Sequence, residues 1–132
     1  EELGPIELGV EEPMVGVFGE FMTTDPDDFE RATAVNYLGF VNGTRAALSF
    51  MIPRNRGHVI QVGSALAHRG IPLQAAYCGA KHAIHVFTDS VLTELMHNRL
   101  DVKLSLIDMP SHNRLRIWMR ALGASFLMPI VI

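Results

Sequence analysis

The spacing of apolar and polar residues divides the chain into strand, helix, strand, helix, strand. Residues 6–10 (IELGV) form a weak strand, because Gly9 removes a side chain from the middle, and Glu11-Glu12-Pro13 stops it. Residues 14–23 (MVGVFGEFMT) are apolar with two glycines and read as a packed loop. A long helix then starts with Asp25 as N-cap, Pro26 at the first helical position, and Asp27 and Asp28 placing negative charge in the first turn. It runs to about Met51, ahead of Pro53. Phe29, Ala32, Asn36, Phe40, Gly43, Ala47 and Phe50 follow spacings of three and four, which predicts one core-facing stripe.

Residues 53–57 (PRNRG) make a turn into a buried strand over 58–63, where Val59, Ile60 and Val62 are β-branched. A loop with Gly70 and Pro72 leads to a second helix, from near Ala75 to beyond Leu95, with the stripe Ala80, Ile84, Phe87, Val91 and Leu95. Residues 103–107 (KLSLI) are a third strand, closed by Asp108-Met109-Pro110. This order is that of β-α-β crossovers, so the fold class is α/β with a parallel sheet.

At 132 residues, the chain is one domain, 1–132, with 48% hydrophobic and 19% charged residues, the composition of a globular protein rather than a disordered one. The net charge of −3, with lysine only at 81 and 103, offers no basic stripe, so no nucleic-acid partner is expected. The single cysteine, Cys78, permits no internal disulfide and suits a reducing compartment. The N-terminus (EELGPIELGVEE) lacks the basic and apolar regions of a secretion signal. Residues 126–132 are apolar but interrupted by Pro129 and far short of the ~20 residues that span a bilayer. The expectation is a soluble, cytoplasmic protein with no membrane partner.

Candidate chemistry concentrates in 58–81, HVIQVGSALAHRGIPLQAAYCGAK. Ser64 falls just past the carboxyl end of a strand, the edge where open α/β sheets bind ligands. Tyr77 and Lys81 are one helical turn apart on one face. A cation there favours the phenolate and lowers the tyrosine from its usual value near ~10, making it a general acid or base, while Ser64 can hydrogen-bond an oxygen whose charge changes. The alternative is a solvated helix face. Asn36, polar on an apolar stripe, requires hydrogen-bond partners, either neighbouring backbone or a ligand and water. His82 and His85 are three apart, but no carboxylate or third imidazole stands at a supporting spacing; they read as surface residues, and no metal site is expected. Arg114, Arg116 and Arg120 around Trp118 read as the solvated side of a short helix rather than a phosphate site, and 125–132 as an edge strand weakened by Pro129.

With Asn36, Ser64, Tyr77 and Lys81 together, the chain resembles the short-chain dehydrogenase/reductase family, whose members carry an Asn-Ser-Tyr-Lys tetrad in this order. The stretches AVNYLGFVNGTRAAL, GHVIQVGSALAHRGIPLQAAYCGAKHAI and FTDSVLTEL carry the likeness, over about residues 3–113, with 114–132 divergent. The resemblance implies a partial Rossmann-like (doubly wound) parallel sheet of about three strands with two long helices. It implies hydride transfer between NAD or NADP and a small carbonyl or secondary alcohol substrate. Tyr77 would move the proton, Lys81 would lower its pKa and bind the nicotinamide ribose, and Ser64 would position the substrate oxygen. Asn36 would hold a water in the relay, and Pro110 would flank the nicotinamide.

The departures are equally specific. The family opens with a Gly-rich pyrophosphate turn that has no counterpart here, and the chain starts where the family's fourth strand should start. The family's Asn-Asn-Ala-Gly becomes Glu11-Glu12-Pro13-Met14, and a frequent cofactor-contacting Thr becomes Arg114. Two readings follow: a fragment of an oxidoreductase, or an inactive truncated homologue acting as an oligomerisation or interaction module. In the family, the helices matching 25–51 and 75–98 form a dimer interface, and Ala46, Ala47, Ala76, Ala80 and Ala83 would permit close packing there. The lone chain is expected to bind no NAD(P)H and to be marginally stable.

Overall fold

In the computed structural model, which describes residues 5–109, three parallel strands stand in the order β1-β2-β3: Leu8–Glu11, Gly57–Ser64 and Val102–Met109. Helices α1 (Pro26–Thr33) and α2 (Gly39–Met51) connect β1 to β2, and α3 (Ala75–His97) connects β2 to β3. The expected partial Rossmann-like α/β arrangement is therefore present. Gln61, in the middle of β2, bonds Thr44 on α2 and Thr88 on α3, so both helices lie on the same face of the sheet. Leu48, Met51, Val59, Leu95, Val102 and Leu104 form the apolar cluster between the layers.

The long first helix begins as its sequence requires. Asp25 Oδ1 accepts from Asp27 N at 2.9 Å, and Pro26 takes the first position, where its missing N–H is no loss. The helix is not uniform, however: Ala34–Leu38 forms a π turn, in which Gly39 N bonds Ala34 O. The extra residue in that turn rotates everything after it. Ala32, Asn36 and Phe40 are buried as expected, but the face then continues through Thr44, Leu48 and Met51 instead of Gly43, Ala47 and Phe50. Phe50 is 58% exposed.

Pairing sets strand lengths that local pattern does not. β1 pairs Leu8 with His58 and Glu11 with Gln61, so the strand includes Glu11 rather than stopping before it. β3 includes Asp108 and Met109 because they pair with Gly63 and Ser64. The turn before β2 is a 3₁₀ turn, Ile52–Arg54, followed by Asn55 at φ 48° and Gly57 at φ 148°. A Cβ on Gly57 would stand 2.5 Å from Met51, so only glycine serves there. The expected 65–74 loop contains one 3₁₀ turn, Ala65–Ala67. Among the described residues, no helix is long and apolar enough to cross a membrane. Pro110, the arginines around Trp118 and the 125–132 segment lie outside the described residues.

Candidate active site

The carboxyl end of β2 and the first two turns of α3 converge on one buried place. Ser64 is the last residue of β2 and also caps the following 3₁₀ turn, its Oγ accepting from Leu66 N at 3.2 Å. Tyr77 is 6% exposed, and the Ser64 side chain is near enough to its phenol to hold its pKa down against burial. Lys81, one turn further, is 2% exposed. Its Nζ donates to Pro13 O and Val62 O, both at 3.4 Å, and stands 4.6 Å from the Phe40 ring centroid and 5.7 Å from that of Tyr77. Serine, tyrosine and lysine are thus brought together.

Their electrostatics differ from the expectation drawn from helical spacing. Burial pushes Tyr77 above its ordinary value of 10.0; the Ser64 hydrogen bond opposes this, and the charges of Cys78 and Glu12 add to the rise. Burial also lowers Lys81 from 10.5 to about 8, against the attraction of Glu12 and Asp108. The ammonium lies over the tyrosine ring and is held by two carbonyls, so proximity along the helix does not make it the dominant influence on the phenol.

Asn36 sits in the π turn and is fully buried. Its Oδ1 accepts from Val15 N at 3.0 Å, and its Nδ2 donates to Val15 O at 2.7 Å and Ala32 O at 2.8 Å. Both amide donors are therefore engaged by backbone. Through Val15, the side chain fixes the segment after β1, and that segment presents the Pro13 carbonyl to Lys81. Asn36 is linked to Lys81 through the chain between them.

A second buried constellation is not evident from local pattern. Thr44 Oγ1 donates to Glu11 Oε2 at 2.9 Å and accepts from Gln61 Nε2 at 2.7 Å. Thr88 Oγ1 lies 2.5 Å from Gln61 Oε1 and 2.8 Å from Ile84 O, two acceptors competing for one proton. Glu11 Oε1 is buried with no hydrogen-bond partner among the described residues. Burial raises this carboxyl from 4.5 to about 7, with the hydrogen bonds from Thr44 and Gln61 opposing the rise. The one available signal was Gln61, a polar residue inside the apolar run HVIQVGS.

The geometry and the sequence meet in comparison with known proteins. The short chain dehydrogenase profile matches residues 2–109. The chain belongs to the short-chain dehydrogenase family. It is 35% identical over 105 residues to a Bacillus subtilis protein named "Uncharacterized oxidoreductase YxnA", covering 79% of this chain and 30% of that one. It is 34% identical over 95 residues to the human "Dehydrogenase/reductase SDR family member 7", covering 72% and 28%. A Xanthobacter autotrophicus relative, "Inactive 2-(S)-hydroxypropyl-CoM dehydrogenase 2", is 38% identical over 92 residues, covering 70% and 40%. The chain thus spans less than half the length of these short-chain dehydrogenases.

Proposed function

We propose that this chain is the catalytic part of an NAD(P)-dependent oxidoreductase that interconverts a carbonyl and a secondary alcohol. The observation that carries the reading is the placing of buried Tyr77 and Lys81, one helical turn apart on α3 with the ammonium 5.7 Å from the Tyr77 ring, beside Ser64 at the carboxyl edge of a parallel sheet. In the reducing direction, Tyr77 Oη gives its proton to the carbonyl oxygen, and Ser64 Oγ holds that oxygen in place and shares its developing charge. In the oxidising direction, the same phenol oxygen takes the proton back. Asn36 acts here as a positioning residue for the Pro13 carbonyl and hence for the Lys81 ammonium.

The residues present fit the nicotinamide-ribose end of NAD or NADP. Lys81 has three donors, and its two carbonyl acceptors at 3.4 Å lie at the long limit of hydrogen bonding, so a ribose hydroxyl competes readily for the ammonium. When bound, the nicotinamide supplies or accepts the hydride. The pyrophosphate turn implied by the family has no counterpart within residues 5–109. A reducing, cytoplasmic setting suits the buried Cys78 thiol.

A second reading, an inactive module that associates through its helices, is favoured by Phe50, Val86 and Met96, which are 58%, 73% and 70% exposed. The Xanthobacter autotrophicus relative, named as inactive, accords with it. NAD(P)H oxidation across a panel of small ketones and aldehydes, with Tyr77→Phe alongside, separates the readings. The catalytic reading expects Tyr77→Phe to lower kcat by about 10²–10⁴-fold. Turnover that survives that substitution refutes Tyr77 as the proton donor. Self-association of the folded chain in analytical ultracentrifugation, abolished by Val86→Glu, supports the module.

A further inference from the structure

His68, His85 and Asp108 come from three elements and meet at the carboxyl edge of β2 and β3. His68 follows the 3₁₀ turn after Ser64, His85 lies on α3 one turn beyond Lys81, and Asp108 pairs with Gly63 across the sheet. One nitrogen from each ring and one carboxylate oxygen all lie within 4.8 Å of one another. His68 Nε2 is 2.5 Å from Asp108 Oδ2, and His85 Nε2 is 3.1 Å from the same oxygen and 3.2 Å from Oδ1. The two rings stand edge to face at 4.6 Å. Gly63 makes room for the carboxylate, since a Cβ there would fall 2.2 Å from Asp108 Oδ1.

We propose that His68, His85 and Asp108 form a binding site for a single divalent transition-metal ion of the zinc class. Two imidazoles and one carboxylate are a borderline-soft donor set that suits zinc, cobalt or nickel better than magnesium or calcium, which prefer oxygen alone. A tetrahedral ion with bonds of about 2.0–2.1 Å holds its ligands roughly 3.3 Å apart. The two nitrogens therefore need to move away from Asp108 by less than about 1 Å, and to close on each other from within 4.8 Å by at most about 1.5 Å, as the ion replaces the protons now shared in these hydrogen bonds. Three protein ligands leave a fourth position for water or another ligand. His68, with its side chain 61% exposed, provides the entry path, while His85 and Asp108 are mostly covered at 29% and 22%.

His82, three residues before His85 on the same helix, takes no part in this cluster. His82 is exposed, and its Nδ1 stands 2.9 Å from Cys78 O, whereas His85 turns to residues distant in sequence. Local spacing offered His85 no third imidazole or carboxylate; the fold brings His68 and Asp108 to it from other elements. The site uses none of the Ser64, Tyr77 and Lys81 side chains, so it stands independently of the catalytic reading.

Calorimetric titration of the full chain with zinc chloride tests the proposal, with cobalt chloride added separately to read visible absorption. The expected result is one equivalent bound and a cobalt band of a low-coordinate site. Affinity should fall about tenfold or more in Asp108→Asn and in His85→Gln, while His97→Gln, on the exposed last turn of α3, keeps wild-type affinity. His68→Gln, at the most exposed ligand, should show the same loss with an unchanged circular dichroism spectrum. Absence of saturable binding, wild-type affinity in Asp108→Asn, or loss of binding in His97→Gln overturns it.

Discussion

Replacing Glu11 with glutamine is expected to stabilise the protein above neutral pH and to erase a specific part of its pH dependence. Glu11 ends β1 with its carboxyl packed toward Thr44 and Gly43, and burial raises its pKa from 4.5 to about 7. The native state therefore holds this proton longer than the unfolded chain does. Below 4.5, the group is neutral in both states and full stability is present. Between 4.5 and about 7, unfolding releases a proton, so stability falls as pH rises; above about 7, the penalty is constant. At about 1.4 kcal/mol for each tenfold in proton affinity, the ceiling is about 3.4 kcal/mol. Glu11 is only half-buried as a residue, and screening reduces the expected penalty to about 1–2 kcal/mol.

Glutamine reproduces the protonated acid. Its carbonyl accepts from Thr44 as Oε2 does, and its amide takes the place of Oε1, which has no partner among the described residues. The amide carries two N–H donors where the neutral acid carries one O–H, which offsets part of the gain at every pH, so the charge is read from the change in slope with pH. Thermal unfolding followed by circular dichroism from about pH 5 to about pH 8 should show wild type losing stability across the window and Glu11→Gln holding level. At about pH 8, the variant should melt about 3–10 °C higher. A wild-type profile with no acid-to-neutral decline, or a decline that persists in Glu11→Gln, refutes the assignment.

Lys81 acts in the opposite direction: its native value of about 8 lies below 10.5, so its contribution is present above 10.5 and lost as pH falls through about 8. Wild type should therefore regain stability between about pH 8 and 10.5, and Lys81→Met should flatten that limb in the same unfolding experiment. Asn36→Ala removes three hydrogen bonds and strands the N–H and C=O of Val15, which should cost about 2–4 kcal/mol in urea unfolding. An Asn36→Ala variant of wild-type stability would deny the side chain its role in fixing the 13–15 segment.

Much of the site was legible because its spacing is local. Tyr77 and Lys81 share a helix, Ser64 follows a β-branched run, and strand–helix alternation implies the parallel class. The start of the first helix was equally readable, since Asp25 and Pro26 satisfy an end effect of nearby backbone. The same local rules failed where a distant partner decides. The π turn at Ala34–Leu38 accompanies the hold of Asn36 on Val15, and its extra residue moved the buried face from Gly43 and Ala47 to Thr44 and Leu48.

Element order, the Asn-Ser-Tyr-Lys tetrad and the α/β class follow from the chain read alone, because periodicity, capping and short motifs are properties of neighbouring residues. Tertiary structure alone decided the environments. It placed Glu11 where burial raises its carboxyl to about 7, set the Lys81 ammonium against carbonyls and aromatic faces, and joined His68, His85 and Asp108 from three elements. Desolvation and ligand geometry depend on what is close in space, and parallel crossovers bring together residues that no short window contains.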